Sequence, residues 1–372
     1  MTYQNYTLAD VKESANRKLF TVISLFAGGG GSSTGYKLAG GDIRCINEFQ
    51  QIAIDTYVEN YPGTKYICND IREVESQDLL SEAGLGVGEL DILDGSPPCP
   101  PFSASGTKRK GWDKEKVAYG KKMRNIEDLS FDMVRVCNDI QPKVFICENV
   151  KGMTYDYARD HMNRIINAFE DCGYNVTYKV LNASHYGVPQ GRERVFIIGV
   201  RDDICEKQGY SFLNMESLFP EPKLPAPTQK QAIYELLGER DNEEEGQILE
   251  KDMARKTKYE YLLMMPKNPK KVESIGDYHP KDSHYQSRRV PWDRPSHTLS
   301  ETGLQMSLAV HLHPSRDRGF TTYEAIRLMS LPSDYKLAGD LNQRLARVGL
   351  MVAPLQLKAI AEELYRKVLH GS

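Results

Sequence analysis

One thiol in this chain stands where chemistry is done. Pro97-Pro98-Cys99-Pro100 follows the apolar run Leu90-Asp91-Ile92-Leu93, which places Cys99 at the carboxyl edge of a buried strand, in a loop stiffened by prolines. Further on, Phe145-Ile146-Cys147-Glu148-Asn149-Val150 sets a carboxylate at the end of a second such strand. A thiol and a carboxylate on neighbouring strand ends suit covalent attack on a ring that is protonated as it is attacked. A nucleobase is the ring that fits. A lone cysteine is usually buried and inert; Cys99 differs in lying at a strand end, where open α/β sheets bind ligands. Glu148 follows a fully apolar strand, where desolvation holds a carboxyl protonated or poised. Gln190-Gly191-Arg192-Glu193-Arg194 brings two arginines at alternate positions to the start of another strand, facing one side. Arg192 and Arg194 would supply the positive setting that a thiolate needs; structural ion pairing is their other use.

A second constellation opens the chain. Leu25-Phe26-Ala27-Gly28-Gly29-Gly30-Gly31-Ser32-Ser33-Thr34-Gly35 comes directly after the first strand, and its glycines allow a sharp turn and close approach of a ligand. The dinucleotide fingerprint G-x-G-x-x-G fails here, because Ser33 stands where its third glycine belongs. Glu48 ends the second strand, where an acid takes both hydroxyls of a ribose. Phe49 can stack on an adenine, and Asp70-Ile71, after the third strand, can meet the adenine edge. Successive strand ends carrying Glu48 and Asp70 favour a nucleoside cofactor over a purely structural turn.

These residues need a scaffold of alternating strands and helices. Apolar runs predict strands over 20–26, 43–47, 66–68, 91–93 and 144–147, with helical patterns at 33–38, 52–59, 129–139 and 161–169. That alternation predicts an α/β fold with a doubly wound parallel sheet. Strands at 175–181 and 194–200 are joined by a stretch with Gly187, Pro189 and Gly191 and no helical pattern, so they should pair antiparallel at the sheet edge. Periodicity is poor from 202 to 304, which suggests a smaller, loop-rich domain. Helix returns at 322–330, capped at Thr321 or Thr322, and again at 355–369 with an apolar face.

Composition narrows the classes. A chain of 372 residues suggests two domains. It has no apolar run near the length of a membrane span and no apolar signal core at its N-terminus. Seven cysteines without a CxxC pair argue against a disulfide framework or a zinc site, and for a reducing, cytoplasmic setting. Net charge is −3, yet basic residues crowd Lys108–Arg124 and 251–271, with Arg288 and Arg289 beyond. Basic runs flanking a candidate nucleophile favour a polyanionic substrate.

In this order, the constellations resemble the DNA cytosine-5 methyltransferases of bacteria and phages. Phe26-Ala27-Gly28-x-Gly30-Gly31 resembles their S-adenosylmethionine loop, and Pro97-Pro98-Cys99 with Phe102-Ser103 their nucleophile loop. Glu148-Asn149-Val150 and Gln190-x-Arg192-x-Arg194 match two further motifs, and 318–332 is similar to the helix before the last one. The likeness covers about 19–201 and 292–369. It implies a Rossmann-like catalytic domain over 1–201 with a nucleophile loop at 96–125. A target-recognition domain would follow at 202–304. The C-terminal segment, 305–372, would return its last helix to the catalytic domain. It implies methyl transfer from S-adenosylmethionine to C5 of a flipped-out cytosine in duplex DNA through a Cys99–C6 bond. Cys99, Glu148, Arg192 and Arg194 would be catalytic. Phe26, Gly28, Gly30, Gly31, Glu48, Phe49, Asp70, Ile71 and Pro98 would hold the cofactor. Ser103, Ser105, Lys108, Arg109, Arg288, Arg289 and Thr298 are expected on the DNA side, and Asn149 is expected to fix the backbone near Glu148 and Cys99. The resemblance further implies a monomer, no metal, and a cognate restriction endonuclease sharing the site without a stable complex. A tRNA cytosine-5 methyltransferase and an inactive DNA-binding homologue are the alternatives. Three departures stand out. Pro100 replaces the usual Gln after the nucleophile, Ser96 a usual Gly, and Gly349-Leu350-Met351-Val352 takes the place of Gly-Asn-x-Val.

Overall fold

The computed structural model describes residues 2–98, 116–118, 121–123, 129–211, 213–237, 244–248, 256–278, 287–305 and 311–370. The expected nucleophile Cys99, and Ser103, Ser105, Lys108 and Arg109, lie outside the described residues.

Seven strands form the central sheet: β1 (Phe20–Leu25), β2 (Gly41–Asn47), β3 (Lys65–Ile67), β4 (Ile92–Gly95), β5 (Val144–Val150), β6 (Tyr174–Asn182) and β7 (Glu193–Arg201). Their order is β3-β2-β1-β4-β5-β7-β6. The first five run parallel, and β7 lies antiparallel to both β5 and β6. The expected edge hairpin is therefore present, with β6 outermost. Chain order reverses across β1 and β4, the switch point where open α/β sheets bind ligands.

Alternating side chains feed two cores. Val22, Ile46, Ile92, Ile146 and Phe196 face one side. There they meet α2 (Gly31–Leu38), α3 (Gln51–Asn60) and the late helix Pro354–Leu364. Ile23, Leu25, Leu93, Phe145 and Ile197 face the other. Helices α4 (Ser76–Ala83), α5 (Leu129–Ile140) and α6 (Arg159–Glu170) cover that side. Several helices were not legible in the sequence, among them α1 (Leu8–Ala15), which a Thr7/Asp10 capping box starts, and α4. Both have eight residues, too short for a clear periodic signal.

Beyond β7 the described residues form short helices and a small sheet of Glu273–Ser274, Arg288–Arg289 and His311–Leu312. Leu262, Met265, Ile275 and Leu312 make a separate apolar cluster there. Met215, Leu218, Ala232 and Ile233 instead join the main core. Helix α7 (Thr322–Leu328) is capped by Thr321, with Glu324 returning the bond and also taking two bonds from Arg318, at 2.8 and 3.0 Å. Helices α8 (Leu341–Leu350) and α9 (Pro354–Leu364) follow, and α9 packs on α2.

Across β5 and β7, Gly199 sits opposite Phe145, whose ring stacks on Phe169 at 3.8 Å between centroids. A Cβ on Gly199 would lie 2.0 Å from that ring. The Gly199→Ala variant should lose about 1–3 kcal/mol of stability by overpacking, read as a lower urea midpoint. An unchanged midpoint would disprove this packing.

Candidate active site

The parallel register sets the site. Leu25 pairs with Asn47 and with Gly95, and Gly95 pairs with Cys147. The loops that follow β1, β2 and β4 therefore leave from one edge, and Glu148 on β5 is level with them. Antiparallel β7 begins at the same edge, with Arg194 opposite Val150.

A cleft of about 640 Å³ opens here. Phe26, Gly28, Glu48, Phe49, Asp70, Ile71 and Pro98 all line it, as do Arg347 and Leu350 from α8. Glu48 is held from both sides: its Oε2 accepts from the Gly28 N–H and its Oε1 from the Gln50 N–H, each at 2.9 Å. Burial pushes its carboxyl above the usual range, opposed by those N–H groups and by Arg347. Asp70 is already gripped by Arg72, through Nε at 2.9 Å and Nη2 at 2.5 Å. Asn47, unremarked in the sequence although it directly precedes Glu48, donates to the carbonyls of Ile67 and Asn69 and fixes the second and third strand ends together.

The glycine loop divides its work. Gly28 has φ +55° and open space where a Cβ would be, so it faces the cleft. Gly30 and Gly31 were expected there too, but neither lines it. A Cβ on Gly30 would lie 2.8 Å from the Tyr335 hydroxyl, and one on Gly31 2.4 Å from the Val352 carbonyl oxygen. These glycines admit the C-terminal segment, which is pinned further by Tyr335 donating its hydroxyl to the Gly29 carbonyl.

At the reactive end, Glu148 is 8% exposed and pairs with Arg194, Nε to Oε1 at 3.1 Å. Asn149 donates to the Pro97 carbonyl at 3.1 Å and accepts from the Val150 N–H. It thus ties the Glu148 strand to the residues that lead into Cys99. Arg192 does otherwise than expected. Its guanidinium donates to the carbonyls of Leu299 at 2.9 Å, Met351 at 3.0 Å and Gly349 at 3.4 Å. Burial, and next the neighbouring Arg194, pull it down to about 9. Arg192 holds the backbone of remote segments, while Arg194 holds the acid and also donates to the Glu193 carbonyl at 2.8 Å.

The expected DNA-side residues also separate. Arg288 is exposed. Arg289 is fully buried and donates to the carbonyls of His313 and Arg316 and to Asp317, so it is an internal strut, desolvated where no phosphate reaches. Thr298 gives its hydroxyl to the Gly191 carbonyl at 2.8 Å, which joins it to the arginine segment instead.

Sheet, switch-point cleft and buried acid together define a Rossmann-like methyltransferase fold. The profile of the C-5 cytosine-specific DNA methylases matches residues 20–366. The chain is 30% identical to the type II methyltransferase M.PspPI of Psychrobacter, covering 93% of this chain and 79% of that one. It is 30% identical to M.SacI of Streptomyces achromogenes, covering 92% and 93%. A solved putative DNA modification methyltransferase encoded within an E. coli prophage has the same fold, with a TM-score of 0.69 at 21% identity over 94% of this chain and 99% of that one. The protein belongs to the C-5 cytosine-specific DNA methylases. It is a DNA (cytosine-5)-methyltransferase, and the family's general reaction is methyl transfer from S-adenosylmethionine.

Beneath the site, Asp94 of β4 accepts from Ser24 Oγ at 2.6 Å and Tyr36 OH at 3.0 Å. Burial lifts its carboxyl from 3.8 to about 6. The neutral form is thus favoured in the folded state, and the stability it contributes is complete below about pH 4 and lost as pH rises through about 6. Relative to Asp94→Asn, the wild type should lose roughly 2 kcal/mol between about pH 4 and pH 7 in denaturant titrations. A difference that stays flat across that interval would rule out the burial effect.

Proposed function

We propose that this cleft holds S-adenosylmethionine and that the residues beside it methylate C5 of a cytosine flipped out of duplex DNA. The supporting observation is the convergence, at one sheet edge, of the Glu48 pocket, Pro98 and the Glu148–Arg194 pair. The chemistry of the lining fits such a cofactor. Glu48, its oxygens oriented by two N–H groups, suits a ribose diol; Phe49 offers a ring for adenine; Ile71 and Pro98 give apolar walls. Bound there, the cofactor supplies an electrophilic methyl group on sulfur.

Cytosine C5 is too electron-poor to take that methyl unaided. The Cys99 thiolate adds to C6, forming a C–S bond as the ring π bond breaks, and Glu148 hydrogen-bonds or protonates N3, which accepts the electron density pushed into the ring. C5 becomes enamine-like and nucleophilic. After methylation, a base removes the C5 proton, the electron pair restores the ring double bond, and the thiolate leaves. Arg194 keeps the Glu148 carboxyl oriented throughout. Asn149, through the Pro97 carbonyl, anchors the residues that lead into Cys99. Arg192 acts one step removed, by fastening the C-terminal wall of the cleft.

A stacked base cannot reach this site, so flipping costs a few kcal/mol that phosphate contacts must offset. Basic residues of 103–124 serve that purpose, and 202–304 forms the reader of the target sequence, with Arg288 at its surface. A cognate endonuclease cutting the same sequence fits this type of enzyme.

Purified protein should transfer label from tritiated S-adenosylmethionine to cytosine C5 of duplex DNA. Cys99→Ser should abolish transfer and leave cofactor binding near normal, and Glu148→Gln should slow transfer by about 10²–10⁴-fold. DNA carrying 5-fluorocytosine should trap an adduct on Cys99, and an adduct on any other residue would refute the mechanism. The arginines should behave differently from each other. Arg194→Gln should lower the transfer rate with cofactor affinity retained, whereas Arg192→Gln should weaken cofactor binding and stability together. Equilibrium dialysis and thermal melts separate the two.

A further inference from the structure

Arg347 is the cleft residue that the sequence left unmarked. It lies in the last turn of α8, is 6% exposed, and lines the cleft together with Leu350, one turn further along the same face. Its stem lies over the glycine loop: a Cβ on Gly29 would be 2.9 Å from both Arg347 Cγ and Cδ. Its guanidinium crosses to the far wall, where Nη2 donates to Gln50 Oε1 at 2.9 Å. There it acts on the Glu48 carboxyl, and on that of Glu301 behind it.

Among the described residues lining the cleft, Arg347 is the one basic side chain, whereas Glu48 and Asp70 are acidic. The cofactor proposed above carries two positive groups, a sulfonium and an ammonium, and a single negative one, the carboxylate of its amino-acid end. A desolvated guanidinium set against either cation would be strongly repelled. Against the carboxylate it makes the strong, charge-assisted fork for which arginine geometry is suited. Position 350 supplies no polar group to that end, because leucine occupies it. We propose that Arg347 receives the carboxylate of S-adenosylmethionine. This makes α8, rather than the glycine loop alone, the element that selects an amino-acid-bearing nucleoside.

The inference rests on the cofactor reading, and binding measurements without DNA keep the two apart. The probes are S-adenosylmethionine and its decarboxylated analogue, which keeps both positive groups. By calorimetry, the unaltered protein should prefer the carboxylated ligand by roughly 10- to 100-fold. In Arg347→Gln that preference should vanish through weaker binding of S-adenosylmethionine alone, and Arg347→Lys should keep part of it. Equal binding of both ligands by the unaltered protein would overturn the proposal without needing any variant. So would an equal loss for both ligands in Arg347→Gln, which would make Arg347 a support for Gln50. Should the unaltered protein bind neither ligand, the cofactor reading falls, and this inference with it.

Discussion

The position of β4 governs everything else. It is paired to β1 on one side and β5 on the other, with Gly95 level with both Leu25 and Cys147. Parallel pairing sends every following loop out at one edge. The chain at Ser96–Pro98 therefore emerges between the glycine loop and the strand that carries Glu148. A slip of a single residue would turn Glu148 to the opposite face and put the Glu48 pocket beside the wrong loop. The apolar layers on both faces resist such a slip, since Ile92 and Leu93 are each wholly buried in different cores.

Upon that frame, much of the site is assembled from the distant end of the chain. The glycine loop is shaped as much for Tyr335, Met351 and Val352 as for a ligand. Arg192 binds three carbonyls of Leu299, Gly349 and Met351, so one buried cation fastens two remote segments to the start of β7. Such a charge is costly to bury, and its hydrogen bonds to carbonyl dipoles offset that cost. The end of α8 is thereby tied to the start of β7, two residues from the partner of Glu148.

The paired arginines illustrate how environment divides identical side chains. Arg192 and Arg194 alternate in sequence, yet the first meets the carbonyls of remote segments and the second meets the Glu148 carboxylate as well as its neighbour's carbonyl. Arg288 and Arg289 repeat the lesson next to each other, since strand alternation exposes the first and buries the second against Asp317.

Much of the scaffold was legible in the chain itself. All seven sheet strands were read from apolar runs bounded by glycine, proline and polar residues, and the edge hairpin from its helix-free link. Glu48, Phe49, Asp70, Ile71 and Pro98 were also readable, because strand ends are where such a sheet binds ligands and those positions follow directly from strand assignment. What tertiary structure alone decided was partnership across long separations. No local pattern reveals that Gly30 and Gly31 make room for the C-terminal segment, that Arg192 and Thr298 serve the backbone, or that Arg347 enters the cleft. Periodicity reports which face of an element is apolar. It carries no information on which remote carbonyl, hydroxyl or carboxylate a buried polar group will meet, because that is fixed only when the layers close.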